Sequence, residues 1–285
     1  MELFFDDAYK GFGHSEGLAR GLQLQVDGKD LTQEGMGLGT VAIKYGRRTV
    51  FSRNYSTKID KEPGSGAEII VRTYKLDTIL LTGFKGKHSE IWTKQRDAFI
   101  EAYKKHFKSQ NFQLSIDRNF RKLFKIERVF SEIDPIGEAK ITYKFDKSDS
   151  LKNKGTKVEV EVAFTLNEAN SFNFSKICIM NEMGADWFKE SIKNDKRGKP
   201  PSAWEIFDPR DYNAGLYDNE HKLKFSIKDV SVSEGLEYKI YWGREKTSEL
   251  CWAGFTIEIE TNKTKLTTNQ IGNCKYTIHC KIKRF

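Results

Sequence analysis

Two short stretches carry the densest chemistry in this chain. Phe12-Gly13-His14-Ser15-Glu16-Gly17, continuing to Arg20, sets an imidazole, a carboxylate and a guanidinium in a glycine-rich loop ahead of a strand-like run. An imidazole beside a carboxylate can move a proton, and a guanidinium can hold a carboxylate or phosphate. Asn181-Glu182-Met183-Gly184-Ala185-Asp186-Trp187-Phe188 directly follows a second strand-like run and supplies an amide, two carboxylates and an indole. Loops fed by strand ends are a common place for such groups to meet a ligand. His14, Glu16 and Glu182 are therefore the candidate acid/base groups, sufficient for ring opening or epimerisation of a sugar, which needs one proton donor and one acceptor. Asp186 also has a purely structural reading, as the cap of a short helix over Trp187–Ile192.

Further along, Trp204-Glu205-Ile206-Phe207-Asp208-Pro209-Arg210-Asp211-Tyr212-Asn213 combines aromatics, carboxylates and an arginine. Flat aromatic faces stack on the C–H faces of sugars while planar polar groups read the hydroxyls, so this composition suits a polyhydroxylated ligand. Trp252 adds to it. In Leu250–Glu260 the apolar face is Cys251, Ala253, Phe255, Ile257 and Ile259, which leaves Trp252 on the polar face, where a loop, a subunit or a ligand must cover it. The candidate substrate-binding set is Arg20, Glu34, Arg53, Asp186, Trp187, Trp204, Asp208, Tyr212 and Trp252.

Several function classes find no footing. His14-Ser15-Glu16 lacks the GxSxG elbow of a serine hydrolase. Glu34-Gly35-Met36-Gly37-Leu38-Gly39 resembles a nucleotide loop only superficially: threonine follows, then the β-type run Thr40-Val41-Ala42-Ile43, where a phosphate site needs a helix N-terminus. Glycines at every second position instead permit a bulge or a close backbone approach. The four cysteines form no CxxC element, and the alternation of Cys274-Lys-Tyr-Thr-Ile-His-Cys280 puts Cys274 and Cys280 on an apolar strand face with His279 on the other. No metal or cofactor is expected. The net charge of +8 comes from basic residues interleaved with acids throughout, so nucleic acid is not an expected partner. No apolar run reaches membrane-span length, and the Met-Glu-Leu-Phe-Phe-Asp-Asp start has no signal-peptide character, so a cytoplasmic protein with reduced thiols is expected.

The elements that must position these groups are mostly strands. Val158, Val160, Val162, Phe164 and Leu166 alternate with Lys157, Glu159, Glu161 and Thr165; Ala139, Ile141, Tyr143 and Phe145 alternate with Lys140, Thr142 and Lys144. Leu223, Phe225 and Ile227, then Leu236, Tyr238, Ile240 and Trp242, follow the same period, which belongs to antiparallel sheets wet on one face. Further strands are expected over Gly21–Val26, Thr40–Tyr45, Thr49–Arg53, Glu68–Lys75, Thr78–Thr82, Phe172–Met180 and Leu250–Glu260. One long amphipathic helix is expected over Ser89–Lys108, with Trp92, Phe99, Ile100, Tyr103 and Phe107 as its apolar stripe. Asp117–Phe130 fits either period.

These observations lead to a mainly β protein: one large antiparallel two-sheet sandwich over residues 1–285, with a possible subdivision near 146–156 and the helix on its side. α+β is the alternative. The architecture is analogous to the extended supersandwich of aldose-epimerase-like folds, an analogy that does not fix function. The functional expectation is a carbohydrate or other polyhydroxylated small molecule bound on a concave sheet face, with acid/base isomerisation or epimerisation as the chemistry if the protein is an enzyme. The first alternative is a non-enzymatic binding or assembly protein that uses strand edges and its basic helix against an acidic partner. A lipid or isoprenoid carrier, drawing on the 20 phenylalanines for its lining, comes third.

Overall fold

A computed structural model of the chain describes residues 1–5, 17–33, 35–45, 48–84, 87–88, 126–146, 155–167, 174–201, 205–211, 214–246, 251–261 and 270–282, and the single positions 95, 98 and 102. A small sheet holds β1 (Glu2–Phe4), β2 (Gln23–Val26) and β3 (Lys29–Asp30). The rest belong to one large antiparallel sheet. In chain order they are β4 (Gly37–Tyr45), β5 (Arg48–Lys61), β6 (Glu68–Phe84), β7 (Lys87–His88), β8 (Ile126–Glu132), β9 (Gly137–Phe145), β10 (Thr156–Leu166), β11 (Phe174–Met183), β12 (Glu190–Lys193), β13 (Lys196–Gly198), β14 (Glu205–Ile206), β15 (Gly215–Asp218), β16 (Leu223–Val232), β17 (Leu236–Lys246), β18 (Cys251–Thr261) and β19 (Gln270–Ile282). Neighbours follow the order β13-β12-β15-β16-β19-β10-β9-β6-β5-β4-β11-β18-β17-β14, with β7 and β8 pairing β6 off this path.

The protein is mainly β and antiparallel, and the strands of its large sheet are hydrogen-bonded neighbours from β13 to β14. One continuous sheet curls so that its halves face each other. Phe225 of β16 meets Phe255 of β18 at 5.3 Å between ring centroids, although many strands separate β16 from β18 along the sheet. The Tyr276 hydroxyl of β19 reaches Asn181 of β11 at 2.9 Å. Alternation announces one wet face per strand, and a curled sheet produces the same pattern as two packed ones. Phe255 also packs on Phe207 and Trp242, which makes it the centre of an aromatic cluster.

Other boundaries also differ. Glu68–Phe84 is one strand, not two. Its first half pairs β9 and its second half pairs β8, so β8 and β9 share one edge of it. The Asp77 carboxylate, at the junction, accepts hydrogen bonds from Arg53 N (2.9 Å), Asn54 N (3.3 Å), Asn54 Nδ2 (2.6 Å) and Thr78 Oγ1 (3.0 Å), which closes a bulge in β5. The helix expected over 187–192 is absent. A turn is followed by β12, whose Ile192 is buried along with Phe188; a four-residue spacing of apolar residues satisfies a helix stripe and a strand face alike. The helix expected over 89–108 lies outside the described residues except for Gln95, Ala98 and Ala102, which have helical backbone, and no helix is among the described elements. The strand half of the ambiguous 117–130 segment is real from Ile126 onward. The segment at 146–156 joins β9 to β10, which pair with each other from Val158↔Phe145. No helix among the described residues is long and apolar enough to cross a membrane.

The glycine-rich stretch is a close backbone approach. Leu22 and Leu38 form an isolated bridge, and a Cβ built on Gly21 would lie 2.1 Å from the Leu38 carbonyl oxygen. Gly39 has φ +81° and a Cβ there would lie 2.5 Å from the Tyr143 hydroxyl, whereas Gly28, with φ +79°, has nothing within 4 Å. Both substitutions strain the backbone, but only one also collides with the core. Gly28→Ala should therefore cost about 1 kcal/mol, and Gly39→Ala roughly 3 kcal/mol or more, in urea unfolding. Equal losses at the two positions would show that the approach to Tyr143 does not constrain the fold.

Candidate functional site

Residues 17–33 and 35–39 pack against the large sheet, and beyond the β1–β2–β3 ladders several of their main-chain groups are met by side chains from the surrounding strands. Arg72 Nη1 and the Tyr74 hydroxyl, both from β6, donate to the Arg20 carbonyl at 2.8 and 2.9 Å. The Tyr143 hydroxyl donates to the Leu38 carbonyl at 2.8 Å. Asn181 Oδ1 accepts from Gly39 N at 3.0 Å as well as from Tyr276. Burial raises the Tyr143 and Tyr276 hydroxyls well above the usual phenol range, which keeps them neutral donors.

Two of the expected ligand groups serve this interior. The Arg20 guanidinium is 4% exposed and donates to the Thr32 carbonyl and, at 3.1 Å, to the Gly35 carbonyl. Glu182 is likewise 4% exposed, and its Oε2 accepts from Met36 N at 3.3 Å. Burial pushes its carboxyl up to about 7, against a partial opposing effect of the Met36 hydrogen bond. A carboxyl so raised has the proton affinity of a general acid, but its position makes it first a buried neutral partner for the glycine-rich backbone.

The other expected residues are dispersed. Arg53 lies at the β5 bulge, bonded to the Gly17 carbonyl (3.1 Å) and paired with Glu132 (3.2 Å). Asp208 chelates Arg210 on the surface, and that hydrogen bond lowers its carboxyl to about 2. Trp252 is 3% exposed, covered by the chain itself. His14, Glu16, Glu34, Trp204 and Tyr212 lie outside the described residues. Cys274 and Cys280 are buried on the apolar face, with burial raising both thiols to about 12; His279 sits on the opposite face. Among the described residues no three His, Cys, Asp or Glu side chains are grouped to hold a metal ion.

Asp186 and Trp187 are brought together with groups that the sequence did not single out. Three turns converge on the half-buried Trp187 indole. Its own turn follows β11, where Gly184 leaves room for the ring: a Cβ there would lie 3.2 Å from Trp187 Cδ1. The β2–β3 hairpin contributes Lys29, whose ammonium lies over the indole at 5.4 Å and pairs with Glu220. The β15–β16 turn contributes His221, which meets the indole edge-on at 5.6 Å. Asp218 organises that turn: it accepts from Glu220 N at 3.0 Å and holds His221 Nδ1. On the far side of the turn, Lys246 of β17 pairs with Asp186, and this hydrogen bond lowers the Asp186 carboxyl. The indole thus has an imidazole at its edge and the Lys29 ammonium over its face, with Glu220 paired to that ammonium, while the Asp186–Lys246 pair belongs to the adjoining turn. The sequence did hold signals for the missed groups. Lys29 directly follows the Asp27-Gly28 turn, and Asp218-Asn219-Glu220-His221 between two strands is an Asx-type turn.

No protein-family model matches the chain, and no curated protein or solved structure matches it either.

The Glu182 carboxyl provides a pH test of the interior. Its folded value, about 7, lies above the ordinary 4.5, so it contributes stability that is fully present below about pH 4.5 and is lost as pH rises through about 7. The loss amounts to roughly 3 kcal/mol. Glu182→Gln should accordingly stabilise the fold relative to wild type at about pH 8 and lose that advantage at about pH 5 in thermal melts. A wild-type-minus-variant difference that does not change with pH would mean that the carboxyl titrates as if exposed.

Proposed function

We propose that this protein binds a carbohydrate or similar polyhydroxylated small molecule at the strand-end rim around Trp187. The observation that carries this reading is the convergence of three turns on one half-buried indole, with Lys29 over its face, His221 at its edge and Glu220 paired to Lys29; the Asp186–Lys246 pair lies on the adjoining turn. An indole face offers a C–H stacking surface, while carboxylates and ammonium groups accept from and donate to ring hydroxyls. The ion pairs Lys29–Glu220 and Lys246–Asp186 hold these groups in place and can open toward hydroxyls at small cost, because exposed pairs contribute about 0–1 kcal/mol each. The site sits at the ends of strands and not on a broad concave sheet face.

The supersandwich comparison with aldose-epimerase-like folds belongs to this reading through its ligand class. Acid/base conversion of the ligand is its catalytic extension, with His14, Glu16 and Glu182 as the candidate groups; the buried His221 side chain, held by Asp218, sets the edge of the indole. In this reading the partner is the small molecule itself, met in the cytoplasm, with neither nucleic acid nor membrane involved.

Calorimetric titration with a panel of hexoses, pentoses, inositols and short oligosaccharides tests the proposal. At least one of them should bind saturably. Trp187→Ala should weaken that binding by about tenfold or more, equivalent to about 1.4 kcal/mol, and Glu220→Gln by less. Absence of binding by the whole panel, or a Trp187→Ala protein that binds as wild type does, would remove the proposal.

A further inference from the structure

The inward face of the curled sheet is built from cross-strand rows, and one row stops short. Tyr276 of β19, Val160 of β10, Tyr143 of β9 and Ile70 of β6 lie side by side, each opposite the next, and all are buried. The next residue in the row is Ile59 of β5, opposite Ile70, and it is 62% exposed. The reason is topological. β4 pairs with β5 only over Arg48–Val50. Beyond the bulge, among the described residues, no strand pairs residues 55–61 on the side away from β6. An inward-facing isoleucine thus stands on a strand edge that lacks its next neighbour.

Charged residues on edge strands usually block pairing with other chains. Here their order does the opposite for one partner. Lys58 and Asp60 flank Ile59 on the outer face, both exposed, 2.8 Å apart at their charged ends. In an antiparallel pairing of two β5 edges about a two-fold axis through Ile59, position 59 meets itself and position 58 meets position 60 of the second copy. Lys58 then faces Asp60 in both directions, and the apolar row continues from Ile70 through Ile59 into Ile59 and Ile70 of the second copy. A C2 interface requires this self-complementarity; a strand carrying the reversed charge order would meet a like charge at both positions.

We propose that residues 55–61 of β5 form a homodimer interface in which two copies join their sheets edge to edge, in the antiparallel register centred on Ile59. The interface does not involve the rim around Trp187, so sugar binding and dimerisation stand or fall separately.

Sedimentation equilibrium of the full chain tests the register directly. Wild type should show a concentration-dependent dimer. Lys58→Asp alone or Asp60→Lys alone sets like charges across both halves of the interface and should weaken the dimer at least about tenfold. The double variant Lys58→Asp/Asp60→Lys restores opposite charges and should return it to within about threefold of wild type. Ile59→Lys should abolish it. These side chains are exposed, so circular dichroism melts of all four variants should match wild type. A wild type that remains monomeric at every soluble concentration overturns the proposal. So do single variants that dimerise as wild type does, or a double variant no better than the singles.

Discussion

The interior of this protein depends on satisfying buried main-chain groups that fall outside the ladders. Residues 17–33 and 35–36 pair among themselves in the β2–β3 hairpin and with β1, and they reach the large sheet through main-chain bonds such as Leu22 N to Leu38 O and Ala19 N to Ser52 O, both 2.8 Å. A buried carbonyl or amide without a partner would cost on the order of 1–3 kcal/mol. The surrounding strands therefore carry donors and acceptors in their core positions: Arg72 and Tyr74 hold the Arg20 carbonyl, Glu182 holds Met36 N, and Tyr143 and Asn181 hold Leu38 O and Gly39 N at the start of β4. The glycines follow from the same constraint, since Gly21 and Gly39 meet a carbonyl and a hydroxyl at distances that leave no room for a Cβ.

This arrangement explains how a buried arginine is tolerated in the sheet. Arg72 is held by its hydrogen bonds to the Arg20 carbonyl and to Thr57 Oγ1 (3.1 Å), and its guanidinium lies against the Phe5 and Tyr55 rings at 3.8 and 3.9 Å. Cation–π contact and a carbonyl acceptor replace part of the lost hydration. Glu182 solves the opposite problem by holding its proton. The polar groups in the middle of the fold are thus occupied with the fold itself, which leaves recognition to its periphery.

Legibility in the sequence divides along the same line. Strand existence and facing were legible wherever a strand is wet on one side. Alternation placed Ala139 through Phe145 and Val158 through Leu166 inward, and the structure buries each inward residue. Strand order was not legible, because β19 lies between β10 and β16, and β11 between β4 and β18, across gaps in sequence that no local pattern records. The surroundings of the polar candidates were not legible for a related reason. Glu182 and Arg20 look like ligand groups by type, but their partners, Met36 N and the Thr32 and Gly35 carbonyls, are main-chain atoms, which sequence does not display. Trp252, on the nominally polar face, is covered by the chain, an outcome that its strand period alone leaves open. The turn at Asp186-Trp187 announces itself locally as a strand end followed by glycine, and so do the Asp27-Gly28 and Asp218–His221 turns; that the latter two bring Lys29, Glu220 and His221 to Trp187 or its partner is a matter of strand order, which local pattern does not record.

The periphery offers two different kinds of surface, and their physical characters differ. The rim at Trp187 is built from side chains on three turns, tied by ion pairs that are weak in water and therefore adjustable. Such a surface suits a small ligand with several hydroxyls, for which exchange of one polar contact for another changes little free energy. The edge of β5 over residues 56–61 is main chain, and among the described residues no strand lies along it on the side away from β6, so its amides and carbonyls present a fixed spacing. Spacing of that kind is matched by another strand and by little else. The Lys58-Ile59-Asp60 order then selects among strands, because charge opposite like charge is disfavoured and apolar opposite apolar extends a row that already runs through the core from Tyr276 to Ile70. Among the described residues, 56–61 of β5 are a stretch where the inward row ends without a further strand beside it.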